Sequence, residues 1–169
     1  MRVRHAERVE GSGAAVDDIW FEDIEVGYSE ESAEMLVDRD EMIEYARRND
    51  PYPIHVDEAA AQASPFGELI ASFGYVVSLF FRAVHGLRFD QAVQAAFVGA
   101  LEWKVQFRSA VRANDRLRTR LTITSKRLSS KRNRGVLEMR YEVVNQHDDV
   151  VIVIDGVSLI LTRPLPSSA

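Results

Sequence analysis

Two side chains able to move protons stand five places apart in the run Asp50-Pro51-Tyr52-Pro53-Ile54-His55. A carboxylate and an imidazole held close together can take a proton from one reacting group and deliver one to another. The two prolines stiffen the segment, so little entropy is lost in fixing the pair. Residues five apart in a fully extended strand lie on opposite sides, so the backbone must bend between Asp50 and His55 if both are to reach one water. The same run also has a plain reading, in which Pro51 and Pro53 stop a helix, Asp50 accepts local backbone bonds and His55 caps the next helix. No cysteine is present, which excludes a disulfide framework, a thiolate metal site and a cysteine nucleophile together. His5, His85 and His147 are scattered without the spacing of metal ligands, and no metal is expected.

The elements around this run are legible. Asp38 is a suitable N-cap, Glu41 its capping-box partner, and Met42, Ile43, Tyr45 and Ala46 form the stripe of a helix that must end near Asn49. Asp50 to His55 then leads out of it as an extended, stiff segment. Asp57 caps a short helix, Glu58 to Gln62, closed by Ser64-Pro65 and Gly67. From Glu68 to about Val84 the chain is almost wholly apolar, which predicts one long buried helix. Strands are expected over 97–107, 116–125, 136–145 and 150–161, separated by the turn signals Ala113-Asn114-Asp115, Asn133 to Gly135 and His147 to Asp149. A short strand and turn are expected to open the ordered chain near Asp17. Helices gathered before an antiparallel sheet of about five strands give the α+β class.

The composition fits that layout. With 169 residues, 46% of them hydrophobic and 28% charged, the chain has the size and balance of one globular domain. A net charge of −5 argues against broad attraction to nucleic acid. No apolar run reaches the length of a membrane span, and the first residues lack the apolar core of a signal peptide. The expectation is a soluble, cytoplasmic protein with no membrane or nucleic-acid partner, a mobile tail over residues 1–16 and a single domain over 17–169.

The segment from Tyr45 to Ser72, YARRNDPYPIHVDEAAAQASPFGELIAS, resembles the MaoC-like dehydratases and (R)-specific enoyl-CoA hydratases. Asp50, Pro53, Ile54 and His55 match the family's motif, and Gly67 and Ser72 resemble its glycine and serine at the start of the central helix. The likeness continues through Trp103 to Leu117, WKVQFRSAVRANDRL, and Val143 to Gln146. It departs at Asn49, where the family has Gly, at Tyr52, where the well-known hydratases carry Asn, and at Phe66, where a His is common. DPYPIH is closer to the DPQPFH variety of the family.

The resemblance implies a hotdog fold, an antiparallel sheet wrapped around a long central helix, and pairing into a homodimer or a higher homo-oligomer. It implies reversible hydration of an acyl thioester carried by coenzyme A or an acyl carrier, with no cofactor. Asp50 is then the water-activating base and His55 its partner acid or water orienter. Gly67 N–H is the expected donor to the thioester oxygen. Ser72, a turn and a half into the helix, could bond the dyad or the water, or simply the carbonyl four residues back. Tyr52 could close the acyl pocket, supply a hydroxyl donor or pack on the prolines. Two rivals stay open: thioester hydrolysis through Glu68, and an acyl-binding subunit without turnover. The basic cluster Lys126, Arg127, Lys131, Arg132 and Arg134 is expected to be a solvated edge, or else a receiver of phosphates.

Overall fold

Strict alternation of buried and open positions along LRTRLTITS puts Leu117, Thr119, Leu121 and Ile123 on one face of a strand. That face covers one side of the core. The computed structural model describes residues 17–164, and the tail expected over 1–16 lies outside them. Its sheet is built from β1 (Ser29–Glu31), β3 (Phe97–Phe107), β4 (Arg116–Leu128), β5 (Arg134–Val144) and β6 (Val150–Leu161), in the order β1-β4-β5-β6-β3. A two-residue strand, β2 (Met35–Leu36), pairs with β4 beside it. Every pairing is antiparallel. The three turn signals hold Asn114, Asn133 and Asp148 at positive φ, the conformation that Asn and Asp tolerate best among residues with a side chain.

The helices are α1 (Arg39–Asn49), α2 (Pro53–Val56), α3 (Glu58–Gln62), α4 (Phe73–Val84) and α5 (Arg88–Val93). α4 lies against the sheet and buries Tyr75, Val76, Leu79, Phe80, Ala83 and Val84. The Phe80 ring meets Tyr141 of β5 and Trp103 of β3 edge-on, at 5.1 and 5.6 Å between centroids. One central helix on an antiparallel sheet is the hotdog arrangement expected.

α1 is placed by its cap and by its contact with α4. Asp38 accepts from the Glu41 amide at 2.8 Å, and Met42, Ile43 and Ala46 are buried. Glu41 does not return the expected capping-box bond. Its carboxylate instead takes the Tyr75 hydroxyl at 2.9 Å and the Arg82 guanidinium, both from α4. The Arg82 guanidinium, helped by the Tyr75 hydroxyl, holds the Glu41 carboxyl below the ordinary carboxylate range. Near the other end of α1, Tyr45 sits so close to Gly74 that a Cβ there would fall 2.7 Å from the phenol oxygen. A glycine at the start of α4 therefore brings the C-terminal end of α1 against it.

Two expectations are corrected. The central helix begins at Phe73 rather than Glu68, with Ser72 as its N-cap residue and Glu68 to Ser72 running in without helical structure. Apolar Leu69, Ile70 and Ala71 continue the helical run in composition, but Ala71 N–H bonds the carbonyl of Val111 at 2.8 Å, a contact that ties this stretch to another segment. The DPYPIH segment is not extended throughout, because Pro53 to Val56 close one helical turn. The opening has the turn and short strand expected, as a 3-10 turn, Phe21–Asp23, ahead of the two short strands. Asp23 caps it by accepting from Trp20 N–H at 2.9 Å, and Lys126 donates to the carbonyls of Phe21 and Glu22, both at 3.2 Å. Lys126 thus leaves the basic cluster for a structural task.

Candidate active site

The bend required between Asp50 and His55 is supplied by local hydrogen bonds. Asp50 N–H still bonds the Ala46 carbonyl at 2.8 Å, and its φ of −157° ends α1. Tyr52 N–H then donates to Asp50 O, and His55 N–H to Tyr52 O, each at 2.9 Å. Pro53 takes the first helical position, where its missing N–H costs nothing and its fixed φ already suits the turn. The folded segment returns His55 toward Asp50, and the His55 Nε2 to Asp50 Oδ2 distance is 3.8 Å.

His55 is held in one orientation. Its ring is buried, and Nδ1 lies 2.8 Å from the carbonyl oxygen of Ile70. A carbonyl only accepts, so in the neutral ring Nδ1 carries the hydrogen and Nε2 presents its lone pair toward Asp50. Ile70 N–H bonds the Ile54 carbonyl at 3.3 Å, which joins the two segments a second time. The Asp50 side chain is 31% exposed against 10% for His55, so the carboxylate keeps contact with solvent. Two acceptors 3.8 Å apart are too distant for a direct bond, but one water donating a hydrogen to each satisfies both. Such a water turns its own lone pairs away from the protein, toward whatever enters.

His55 lines an open pocket of about 330 Å³ together with Phe66, Phe73, Phe107, Arg108 and Val111. Phe73 opens α4, and its amide and that of Gly74 have no carbonyl one turn back to bond. Ser72 precedes them, wholly buried, with its Oγ lacking any hydrogen-bond partner among the described residues. Neither use expected for Ser72, a bond to the dyad or to the carbonyl four residues back, is present. A buried hydroxyl without a partner, set before the free amides of a helix start, costs stability unless something else bonds it.

Gly67 is not part of this group. It sits in a turn at φ +73° and donates its N–H to Ser64 O at 3.1 Å, so it cannot serve as the free donor at the start of the central helix. It borders a different pocket, shared with Arg39, Glu58 and Glu68. Glu68 pairs with Arg112 at 2.6 Å in that neighbourhood and does not itself line the His55 pocket. Tyr52 is mostly exposed and does not line the His55 pocket either. The residues missed from sequence are Ile70, whose role lies in a backbone carbonyl, and Phe73. The second was findable, because Ser is a favoured N-cap type and Ser72 marks where the helix starts.

A second cavity, of about 320 Å³, lies toward the C-terminal end of α4 between Phe81, Phe89, Phe97, Trp103, Tyr141 and Ser158. His85 and Asp90, bonded at 3.0 Å, stand on its lining. Among the described residues no three of His, Cys, Asp and Glu gather as a metal site, and no helix is long and apolar enough to cross a membrane.

Residues 25–146 match the family model described as a MaoC like domain. Among solved structures the chain is similar to a MaoC-like dehydratase from Rhodospirillum rubrum, with 25% identity, a TM-score of 0.79 and coverage of 87% of this chain and 99% of that one. It is also similar to a monoamine oxidase regulatory protein from an Archaeoglobus species, at 24% identity and TM-score 0.81 over 89% and 99% of the two chains. An (R)-hydratase from Pseudomonas aeruginosa, in its unliganded form, shares the fold at 23% identity and TM-score 0.62 over 91% and 97%. No protein of curated function matches the chain.

Proposed function

This chain belongs to the MaoC-like domain family, and on that premise we propose that it adds water reversibly across the double bond of a 2-enoyl thioester, giving the 3-hydroxyacyl thioester. The observation that carries the reading is the His55 Nε2 lone pair, fixed by the Ile70 carbonyl, facing Asp50 across 3.8 Å. In the forward direction the water oxygen attacks the β-carbon while Asp50 takes one of its hydrogens as a proton. His55 holds the other hydrogen and so orients the attack. The proton on Asp50 then passes to the α-carbon, and every atom of the water ends on the product. The oxygen of the thioester gathers negative charge during attack, and the amides of Phe73 and Gly74, with the positive end of α4 behind them, suit that charge. The chemistry asks for no cofactor, and the acyl group arrives on coenzyme A or an acyl carrier.

Purified protein mixed with 2-enoyl-CoA substrates of increasing chain length should lose the enoyl absorbance without releasing free thiol. Thiol release with the absorbance retained would select hydrolysis instead, and binding without either change would make the chain an acyl-binding subunit.

We further propose that two copies pair along β3. Among the described residues that strand ends the sheet and leaves Phe97, Val98, Leu101, Trp103 and Phe107 exposed on an unpaired edge, a feature that isolated proteins avoid. Antiparallel pairing of two β3 strands sets the Phe107 end of one, beside its His55 pocket, near the Phe97 end of the other, beside its second cavity. The apolar cavity of one copy then extends the pocket of its partner and suits an acyl tail. Wild type should sediment as a dimer and Leu101→Lys as a monomer; a Leu101→Lys dimer, or a monomeric wild type, would discard this edge as the interface.

A further inference from the structure

We propose that Arg108 is the anion anchor of the His55 pocket and takes a phosphate of the pantetheine arm that carries the acyl group; this rests on the acyl-thioester reading of the site. Of the twelve residues lining that pocket, Arg108 alone is charged by default at neutral pH, the others being apolar or small save for His55. Its backbone is fixed, since Arg108 N–H bonds the Val151 carbonyl at 2.9 Å directly after β3 ends. Its side chain is exposed, and among the described residues the guanidinium bonds only the neutral amide oxygen of Gln106. Nine other arginines, including Arg112 and Arg39 nearby, are already matched with carboxylates. Arg108 has no carboxylate within 4.0 Å among the described residues, in a chain whose net charge is −5.

The setting decides which anion it meets. In the pocket at Gly67, by contrast, Arg39 is paired with Glu58, and Arg112 beside it with Glu68, so neither guanidinium is free for an anion as that of Arg108 is. Apolar walls of Phe66, Phe73, Phe107 and Val76 around His55 accept the acyl and thioester portion. The carrier arm must leave over the open rim, where Arg108 stands. A planar guanidinium offers two parallel N–H groups to two phosphate oxygens, a geometry that an ammonium group cannot reproduce.

The test measures binding of coenzyme A, phosphopantetheine and pantetheine to wild type, Arg108→Gln and Arg108→Lys by calorimetry, with thermal melting as a check on folding. Wild type should prefer coenzyme A to pantetheine. Arg108→Gln should weaken coenzyme A about tenfold, the loss of one charge-assisted hydrogen bond, and leave pantetheine as it was. Arg108→Lys should recover part of the loss. An equal loss on phosphopantetheine assigns Arg108 to the phosphate shared by coenzyme A and carrier proteins; a loss on coenzyme A alone assigns it to the coenzyme's further phosphates. Unchanged coenzyme A binding in Arg108→Gln, or an equal loss on pantetheine, overturns the anchor. The readout does not depend on turnover: this binding pattern without hydration of any enoyl thioester refutes the reaction and keeps the anchor, and hydration with indifferent binding does the reverse.

Discussion

Asp50→Asn is expected to lower turnover of an enoyl thioester by about a hundredfold to ten-thousandfold, the range lost when a positioned general base is removed. The substitution keeps the shape of the side chain and removes only its charge and basicity. Asp50 lies at a helix end, and its backbone N–H, rather than its carboxylate, closes α1. The carboxylate is partly exposed, and its only basic neighbour within 4.0 Å among the described residues is the His55 ring. Stability should therefore move by no more than about 0.5 kcal/mol, as for other surface changes that break no buried bond. Measured together, a melting curve like wild type and a collapsed turnover number assign the loss to chemistry. Turnover within about threefold of wild type would remove Asp50 as the base, because an amide cannot take a proton from water at neutral pH.

The parts of this site that sequence made legible are those set by local chemistry. Asp38 as a cap, the stripe Met42, Ile43 and Ala46, and the proline stop after Asn49 all act within a few residues, and all are found. The four long strands are likewise present within three residues of their expected limits, because alternation and Asn or Asp turns specify them directly. The start of the central helix was obscured because Leu69, Ile70 and Ala71 are apolar for a reason other than helix burial: Leu69 packs against the core, while Ile70 and Ala71 line the His55 pocket with their amides bonded to the carbonyls of Ile54 and Val111. That misreading carried Gly67 into the donor role. The Ile70 carbonyl has no sequence signal at all, since every residue has a carbonyl and only the fold selects one. Glu41 shows the reverse case, a residue with a correct local signature whose carboxylate is drawn away by Tyr75 and Arg82.

The orientation of His55 yields a sharper expectation than its mere presence. Asn places an amide N–H close to the position of Nδ1, so His55→Asn should keep the bond to Ile70 O and the fold while removing the Nε2 acceptor. Turnover should fall by about a hundredfold or more. Gln reaches instead toward the position of Nε2 and leaves the Ile70 carbonyl without its donor in a buried place, which costs about 1–3 kcal/mol of stability. Denaturation should therefore separate the two variants, with Gln the less stable although it is nearer to His in size. If Asp50 and His55 bind a single water, that water is lost when either group is lost. The double variant Asp50→Asn, His55→Asn should then be barely slower than the worse single one, since residues that act as a unit do not contribute additively. Fully multiplicative losses would mean that the two residues act at separate steps, and the shared water between them would have to be abandoned.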